Sequence, residues 1–408
     1  MTTTEKINTD SQTMVLKYPS KKHEEYKYCD IDKFYTSDFS FEYDESINEK
    51  EIAAKVENLK SNTSENSLML IYINGKFSKQ HSTIIDIPGL SIQNLPVNSN
   101  NILFQNYFDK CVDTNEILVS NNAQKINEVL FINAAKNAEI ENAIVVAYIN
   151  SGKNKNVYHT RTLLVAEKKS KLHFVEVFLG DDNGTKFQNN VTEIAIEKNA
   201  KVNHVKIQHS GKTDIVLNTA QALQHSYSKY KSFVISTQAQ LIRNNTNSIL
   251  DGEFIETFMY GLYILNDKQI IDNHTLVDHQ KPNCYSNELY KGVIADKGIA
   301  VFNGKIFVRQ DAQKTNAYQS NRNILMSDNA TINTKPQLEI FADDVKCSHG
   351  TSTGKIDEEA LFYLRSRGIS ASTAKLMMLQ AFVAEVSEVL PTWALKEFAL
   401  NLIEQKLN

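Results

Sequence analysis

Residues 191–207 read VTEIAIEKNAKVNHVKI: two short runs rich in Val and Ile, Val191–Ile196 and Val202–Ile207, parted by a polar turn and the small residue Ala200. Each run is too short for an ordinary helix, and β-branched side chains suit the pleated surface of a strand. The phrase at the turn, Asn199-Ala200-Lys201-Val202-Asn203, returns as Gln238-Ala239-Gln240-Leu241-Ile242 and as Asn329-Ala330-Thr331-Ile332-Asn333, with a related turn at Asp311-Ala312-Gln313.

Outward from this stretch the same texture holds from Asn142 to Phe341. Ala143–Ile149, Thr162–Ala166, Leu172–Leu179, Lys231–Ile235, Ile299–Val308 and Gln337–Phe341 are further strand-like runs, and no long helical pattern separates them. A loose recurrence of about twenty residues in a helix-free region predicts the coils of a β-helix, each burying its apolar side chains against its neighbours. A sandwich or barrel also yields many short strands. Against that alternative stand only 6 prolines and 14 glycines in the chain, weak hairpin signals, and Asn-rich corners able to stack.

The flanks read differently. Ile47, Ile52, Val56 and Leu59 share one helical face, and Leu68–Ile73 is a strand closed by Asn74-Gly75, the signature of a type I′ hairpin turn. Residues 1–141 are therefore expected to form a small α+β domain, and 142–346 the β-helix. Residues 347–408 are expected to be helical. Asp357 is placed as an N-cap with Glu358 and Glu359 in the first turn, and Gly368 ends that helix. A second helix from Thr373 to Leu390 lines up Leu376, Leu379, Phe382, Val383, Val386 and Val389; Pro391 halts it and opens a third, with Leu395, Phe398, Leu402 and Ile403 on one side. Fifty such residues hold too little core to stand alone, so they dock on the β domain or on a partner.

The chain has 408 residues, 44 Lys+Arg against 48 Asp+Glu, and a net charge of −4, which gives no electrostatic reason for a nucleic-acid or anionic-membrane partner. Met1–Gln12 is polar and lacks an apolar core of the secretory kind, and no run of about 18 apolar residues occurs, so a cytoplasmic protein outside the membrane is expected. Cys29, Cys111, Cys284 and Cys347 show no CxxC spacing and read as reduced thiols.

One segment carries more than a fold. Residues 271–354, IDNHTLVDHQKPNCYSNELYKGVIADKGIAVFNGKIFVRQDAQKTNAYQSNRNILMSDNATINTKPQLEIFADDVKCSHGTSTG, followed by Asp357–Leu364 and Ser366–Ile369, closely resemble the SufB/SufD family of iron–sulfur cluster assembly proteins, on its SufD branch. The match thins upstream through Ile207-Gln208-His209 and Ser236–Arg243. The resemblance implies a mainly β chain, a right-handed parallel β-helix between a variable N-terminal domain and a C-terminal helical domain. It implies a subunit that pairs through its β-helix with the paralog SufB and binds the ABC-type ATPase SufC through its C-terminal helices, with Leu376, Leu379, Phe382 and Val383 as the contact face. It implies no catalytic residue of its own and no stably held cofactor, only a transient iron–sulfur cluster within the complex; self-association of the isolated chain stays open. No GxxxxGK[ST] occurs, so ATP hydrolysis belongs to the partner. The stretch Leu325–Ile332 has no cysteine and carries Ala330 where SufB uses one, which favours the SufD branch.

Cys347 and His349 are the leading site residues. Two apart in an extended segment, they project to one face, and a thiolate with an imidazole makes a ligand pair for iron or sulfur that Lys346 or Lys355 could help ionise. Two ligands do not close a metal site, so a partner must supply the rest. Without the resemblance, Cys347 packing under the tail and His349 bonding in a turn is the simpler account; with it, His349 faces the paralog and serves as a transient, shared metal ligand. Further groups are His274, Asp278, His279 and Cys284, whose spacing fits no standard metal site; His204, His209 and His225, read as satisfied structural histidines with a ladder as the alternative; and Arg309, Asp311, Lys314, Glu288 and Lys291, read as charges on exposed coil faces. Two other functions stay open: a β-helix polysaccharide lyase or hydrolase, for which Asp343-Asp344 alone makes a poor acidic site, and a purely structural scaffold subunit.

Overall fold

The computed structural model describes residues 16–63, 67–391, 393 and 395–407, so Met1–Gln12 lies outside the described residues. From Glu128 to Gly354 strand follows strand, each pairing with the strand two places on, eight in each of two sheets; Leu68–Ile73 and Lys76–Phe77 extend one sheet to 10 strands and Leu90–Pro96 the other to 9 among the described residues. Lys171–Gly180 lies parallel to Lys201–His209, which lies parallel to Lys229–Gln238. The architecture is the expected β-helix.

Its coil is longer than the recurrence of phrases predicts. Lys171 stands beside Lys201 and Lys201 beside Lys229, so one coil takes about thirty residues, two strands and two corners. The repeated phrase marks corners into either sheet: Ala200 precedes a strand of one sheet, Ala239 and Ala330 precede strands of the other, and all three are buried. Its spacing therefore does not measure the coil. At the corners the backbone turns left-handed, with φ of 63° at Asn199, 62° at Asn283 and 53° at Asp267, a region that Asn and Asp tolerate best.

Side chains alternate between the lumen and the outside. Phe174, Val202, Tyr230, Tyr263, Tyr290 and Ile294 fill the lumen. The outer faces are covered too: Leu16, Tyr18, Tyr26, Cys29 and Ile31 pack on Phe187, Ile215, Leu217 and Leu241 of one sheet, while Ile52, Val56 and Leu59 of helix α1 (Glu49–Ser61) join the cluster on the other. Burial on both faces explains why the strands read as continuous rather than alternating. Asn48 caps α1, and Asn74 (φ 48°) with Gly75 (φ 77°) turns Leu68–Ile73 into Lys76–Phe77 as the hairpin signal predicts. Short helices α2 (Ile102–Tyr107) and α3 (Ile117–Ala123) complete this part.

The tail holds α4 (Glu358–Ser366), capped by Asp357, α5 (Ala371–Ser387) and α6 (Lys396–Leu407). α6 starts at Lys396, not at Pro391, because Leu395 takes a left-handed φ of 54° just before it. α5 and α6 pack sideways on the strands Lys229–Gln238, Glu256–Leu265 and Tyr285–Ile294, which leaves the end of the solenoid bare. There the strands Thr331–Ile340 and Val345–Gly354 are half-exposed and mostly exposed. Among the described residues no helix is long and apolar enough to cross a membrane.

Candidate functional site

Cys347 and His349 lie in the terminal strand, Val345–Gly354, in register with Ala317 and Gln319 of the coil before it. Ala317 is fully buried, and Cys347 packs with it and with Ile306, Val308 and Ala342, so its side chain closes the inner face. The two-residue period of a strand then puts His349 on that same inward face, one step along. Among the described residues no further coil stacks on this strand, so both residues stand at the mouth of the lumen.

Burial pushes the Cys347 thiol up, and Lys355 is turned away to Asp328 at 2.7 Å, so the expected ionisation of the thiol by a neighbouring lysine does not hold in the isolated chain. His349 is exposed and, among the described residues, nothing hydrogen-bonds to its ring. Nor do three or more His, Cys, Asp or Glu side chains converge on a metal position among the described residues. The mouth offers two donors and space for others.

Behind the mouth polar groups sit among the apolar side chains of the lumen. Glu288, 1% exposed, accepts from Thr275 Oγ1 at 2.5 Å and from Gln319 Nε2 at 3.3 Å, and burial pushes its carboxyl up to about 7. Deeper in, His204 Nε2 bonds Glu176 at 2.7 Å with Lys206 beside it. Two charges read as exposed are thus inside: Glu288 faces the lumen, and Lys291 is buried beneath α5. The pattern of a strand covered on both faces hides this, since polar residues no longer mark the solvent side.

The other groups separate. His274 joins Arg243 and Asp272 on an outer face, His279 turns into the lumen against Ser286, Asp278 is clamped by Arg309, and the Cys284 thiol meets the Gly252 carbonyl at 3.1 Å. They form no common centre. His204, His209 and His225 bond Glu176, Thr237 and the Asp251 carbonyl in turn and make no ladder. Asp344 sits in a corner, its main-chain N–H donating to Gln313, with Lys314 donating to its carbonyl.

The proposed partner face of the tail is also revised. Leu379 and Val383 are buried against the coils, Phe382 covers Lys291, and Leu376 lines a cavity of about 490 Å³ between α5 and the strands. α5 turns this stripe inward because the coils supply the apolar surface that it needs. Exposed apolar surface lies on α4 instead, which buries no residue and displays Phe362 at 72% and Tyr363 at 59% exposure. No period pointed to them, since exposure of a short helix depends on where its neighbours dock.

Comparison with known proteins agrees with this geometry. The family model described as SUF system FeS cluster assembly, SufBD core domain, matches residues 148–382, and that of the SufBD protein N-terminal region matches 9–146. An iron–sulfur cluster assembly SufBD family protein of Synechocystis is 30% identical over 93% of this chain and 86% of its own length. The iron–sulfur cluster assembly protein SufD of Escherichia coli is 37% identical over 63% of this chain, and the chloroplastic protein ABCI7 of Arabidopsis thaliana 30% over 72%. The match spans less than two-thirds of these last two relatives, 61% and 63%. A solenoid core matched over more than half of the chain, with a SufD-like relative beside it, means that this chain belongs to the SufB/SufD family of iron–sulfur cluster assembly proteins.

Proposed function

We propose that this chain is a SufD-type, non-ATPase subunit that pairs through its terminal coil with a SufB-type paralog and helps to form a nascent iron–sulfur cluster at the junction. The observation that carries this reading is the bare end of the solenoid. Val345–Gly354 is an edge strand without proline and with Lys346 as its one Lys, Arg, Asp or Glu, and an unguarded row of N–H and C=O groups is a template for another strand. Cys347 and His349 sit on that strand at the lumen mouth. The cluster is cargo: His349 donates a nitrogen, Cys347 becomes a thiolate only when the cargo displaces its proton, and the paralog completes the ligand set. In the absence of that partner, the same edge suits a second copy of this chain.

The ATPase partner docks on the helical tail, and Phe362 and Tyr363 of α4 supply the aromatic anchor. The complex works in the cytoplasm. A scaffold subunit without chemical contact to the cargo has the same fold, and one substitution separates the two. In a complex reconstituted with paralog and ATPase, His349→Ala is expected to leave assembly intact and to lower cluster formation about tenfold, read from the visible absorbance of the cluster. Unchanged cluster yield overturns direct participation; loss of all pairing by Phe362→Asp alone overturns the division of labour between strand and tail.

A further inference from the structure

Two side chains on adjacent rungs of the last two coils lack what the other offers. Gln319, 3% exposed, donates its amide N–H to Glu288, but its buried Oε1 has no partner among the described residues. An acceptor left unpaired away from water is costly. In register beside it, roughly 4.8 Å away along the ladder, stands His349, whose ring also lacks a partner among the described residues.

The Gln319 amide has little freedom to look elsewhere. It lies against Gly304 of the opposite wall, where an added Cβ would come within 2.3 Å of Nε2 and 2.7 Å of the amide carbon. Thr275 and Gln319 together hold Glu288, so the amide nitrogen is committed. On the rung beyond Gly304 the register places Pro336, which has no N–H to give. Once Glu288 has lost its proton, as at mildly alkaline pH, the imidazole of His349 is the donor that the neighbouring rung offers.

We propose that Gln319 is a positioning residue for His349: its Oε1 accepts the ring N–H, fixes one tautomer, and turns the lone pair of the other nitrogen toward the open mouth, with Thr275–Glu288 as the anchor behind. The arrangement matches the rule that a metal-ligating histidine is oriented by a bond to its second nitrogen. Its bearing on cluster formation rests on the function proposed above; the contact itself does not.

The test uses the full chain labelled with ¹⁵N-histidine, with the His349 signals assigned by their loss in His349→Ala. At mildly alkaline pH the wild type is expected to show a single His349 tautomer. Gln319→Met, similar in size but without the acceptor, is expected to show averaged tautomers, and Gln319→Glu, which retains an acceptor oxygen, a single one. In the reconstituted complex Gln319→Met is expected to lower cluster formation about tenfold with pairing intact. An unchanged His349 spectrum in a folded Gln319→Met chain overturns the proposal. A changed spectrum together with full cluster formation by His349→Ala supports the contact and overturns the reading of the site.

Discussion

Lys291, at 4% exposure, reaches out of the coils and donates to the main-chain carbonyl of Phe382 at 2.8 Å, its ammonium lying 4.6 Å from the centre of the Phe382 ring. Glu385 on the same helix faces the ammonium and also meets Arg322 at 3.1 Å. Hydrogen bonding to Lys291 is the main reason that the Glu385 carboxyl sits below its usual range. Lys291 therefore fastens α5 to the solenoid beside the apolar packing of Leu379 and Val383.

Lys291→Met keeps the apolar stem and removes the charge. The change is expected to weaken docking of α5 by about 1–3 kcal/mol, discounted because Glu385 is half in water. Limited proteolysis should then cut near Gly368 several-fold faster while the solenoid stays intact. Equal cutting rates in both proteins would remove Lys291 as the fastening.

Arg243 plays the same part for the N-terminal segment. Its guanidinium donates to the Glu25 carbonyl at 3.0 Å and to Asn245 at 2.9 Å, pairs with buried Asp272, and lies 4.4 Å from the Tyr26 ring centre. Burial alone would raise the Asp272 carboxyl, yet Arg243 and His274 hold it down to about 2. Arg243→Met strands that carboxylate, an expected loss of about 3–5 kcal/mol, and adding Asp272→Asn should restore a good part of it. Hydrogen exchange of residues 24–31 is the local readout. Strictly additive losses in the double variant would argue against the pair.

How much of this was legible beforehand varies with the physics. Strand runs, the Asn74-Gly75 turn and the Asp357 cap were readable because each is set by neighbours in sequence. The coil length was not, since phrases such as that at Ala200 encode corners and say nothing of how many corners make a turn. Cys347 and His349 on one face follow from the strand period. What lies behind them, Gln319 and Glu288, depends on pairing between coils some thirty residues apart. The burial of Leu379 and Val383 depends on where α5 docks, which one helix's stripe cannot specify.

Glu288 makes stability depend on pH. Its folded carboxyl is pushed up from 4.5 to about 7 by burial, so between those values the native state holds a proton that the unfolded chain has released. Stability from this group is complete below about pH 4.5 and is lost as pH rises through about 7, up to about 3 kcal/mol in all. Glu288→Gln, which keeps the bonds to Thr275 and Gln319 without titrating, is expected to be the more stable protein at pH 8.5 and to show a flatter profile in urea titrations between pH 5 and 8.5. Parallel profiles for the two proteins would show that Glu288 is not the group responsible.

Two glycines of the lumen are required by rings rather than by turns. A Cβ at Gly261 would come within 2.1 Å of the Tyr290 ring, and one at Gly292 within 2.2 Å of Tyr263, whose hydroxyl bonds Asn323 at 2.6 Å. Each tyrosine lies across a bare stretch of backbone on a neighbouring rung, which makes room for its ring inside the coil. Gly261→Ala forces Tyr290 out of place and is expected to cost about 1–3 kcal/mol in urea unfolding. Gly350, with nothing within 4 Å of its would-be Cβ, is the control, and Gly350→Ala should change stability by less than about 0.5 kcal/mol. Shrinking the ring relieves the clash, so Gly261→Ala with Tyr290→Leu should lose less than the two single changes added together. If the losses simply add, the ring and the glycine are not in contact as described, and the requirement for Gly261 is no longer explained by Tyr290.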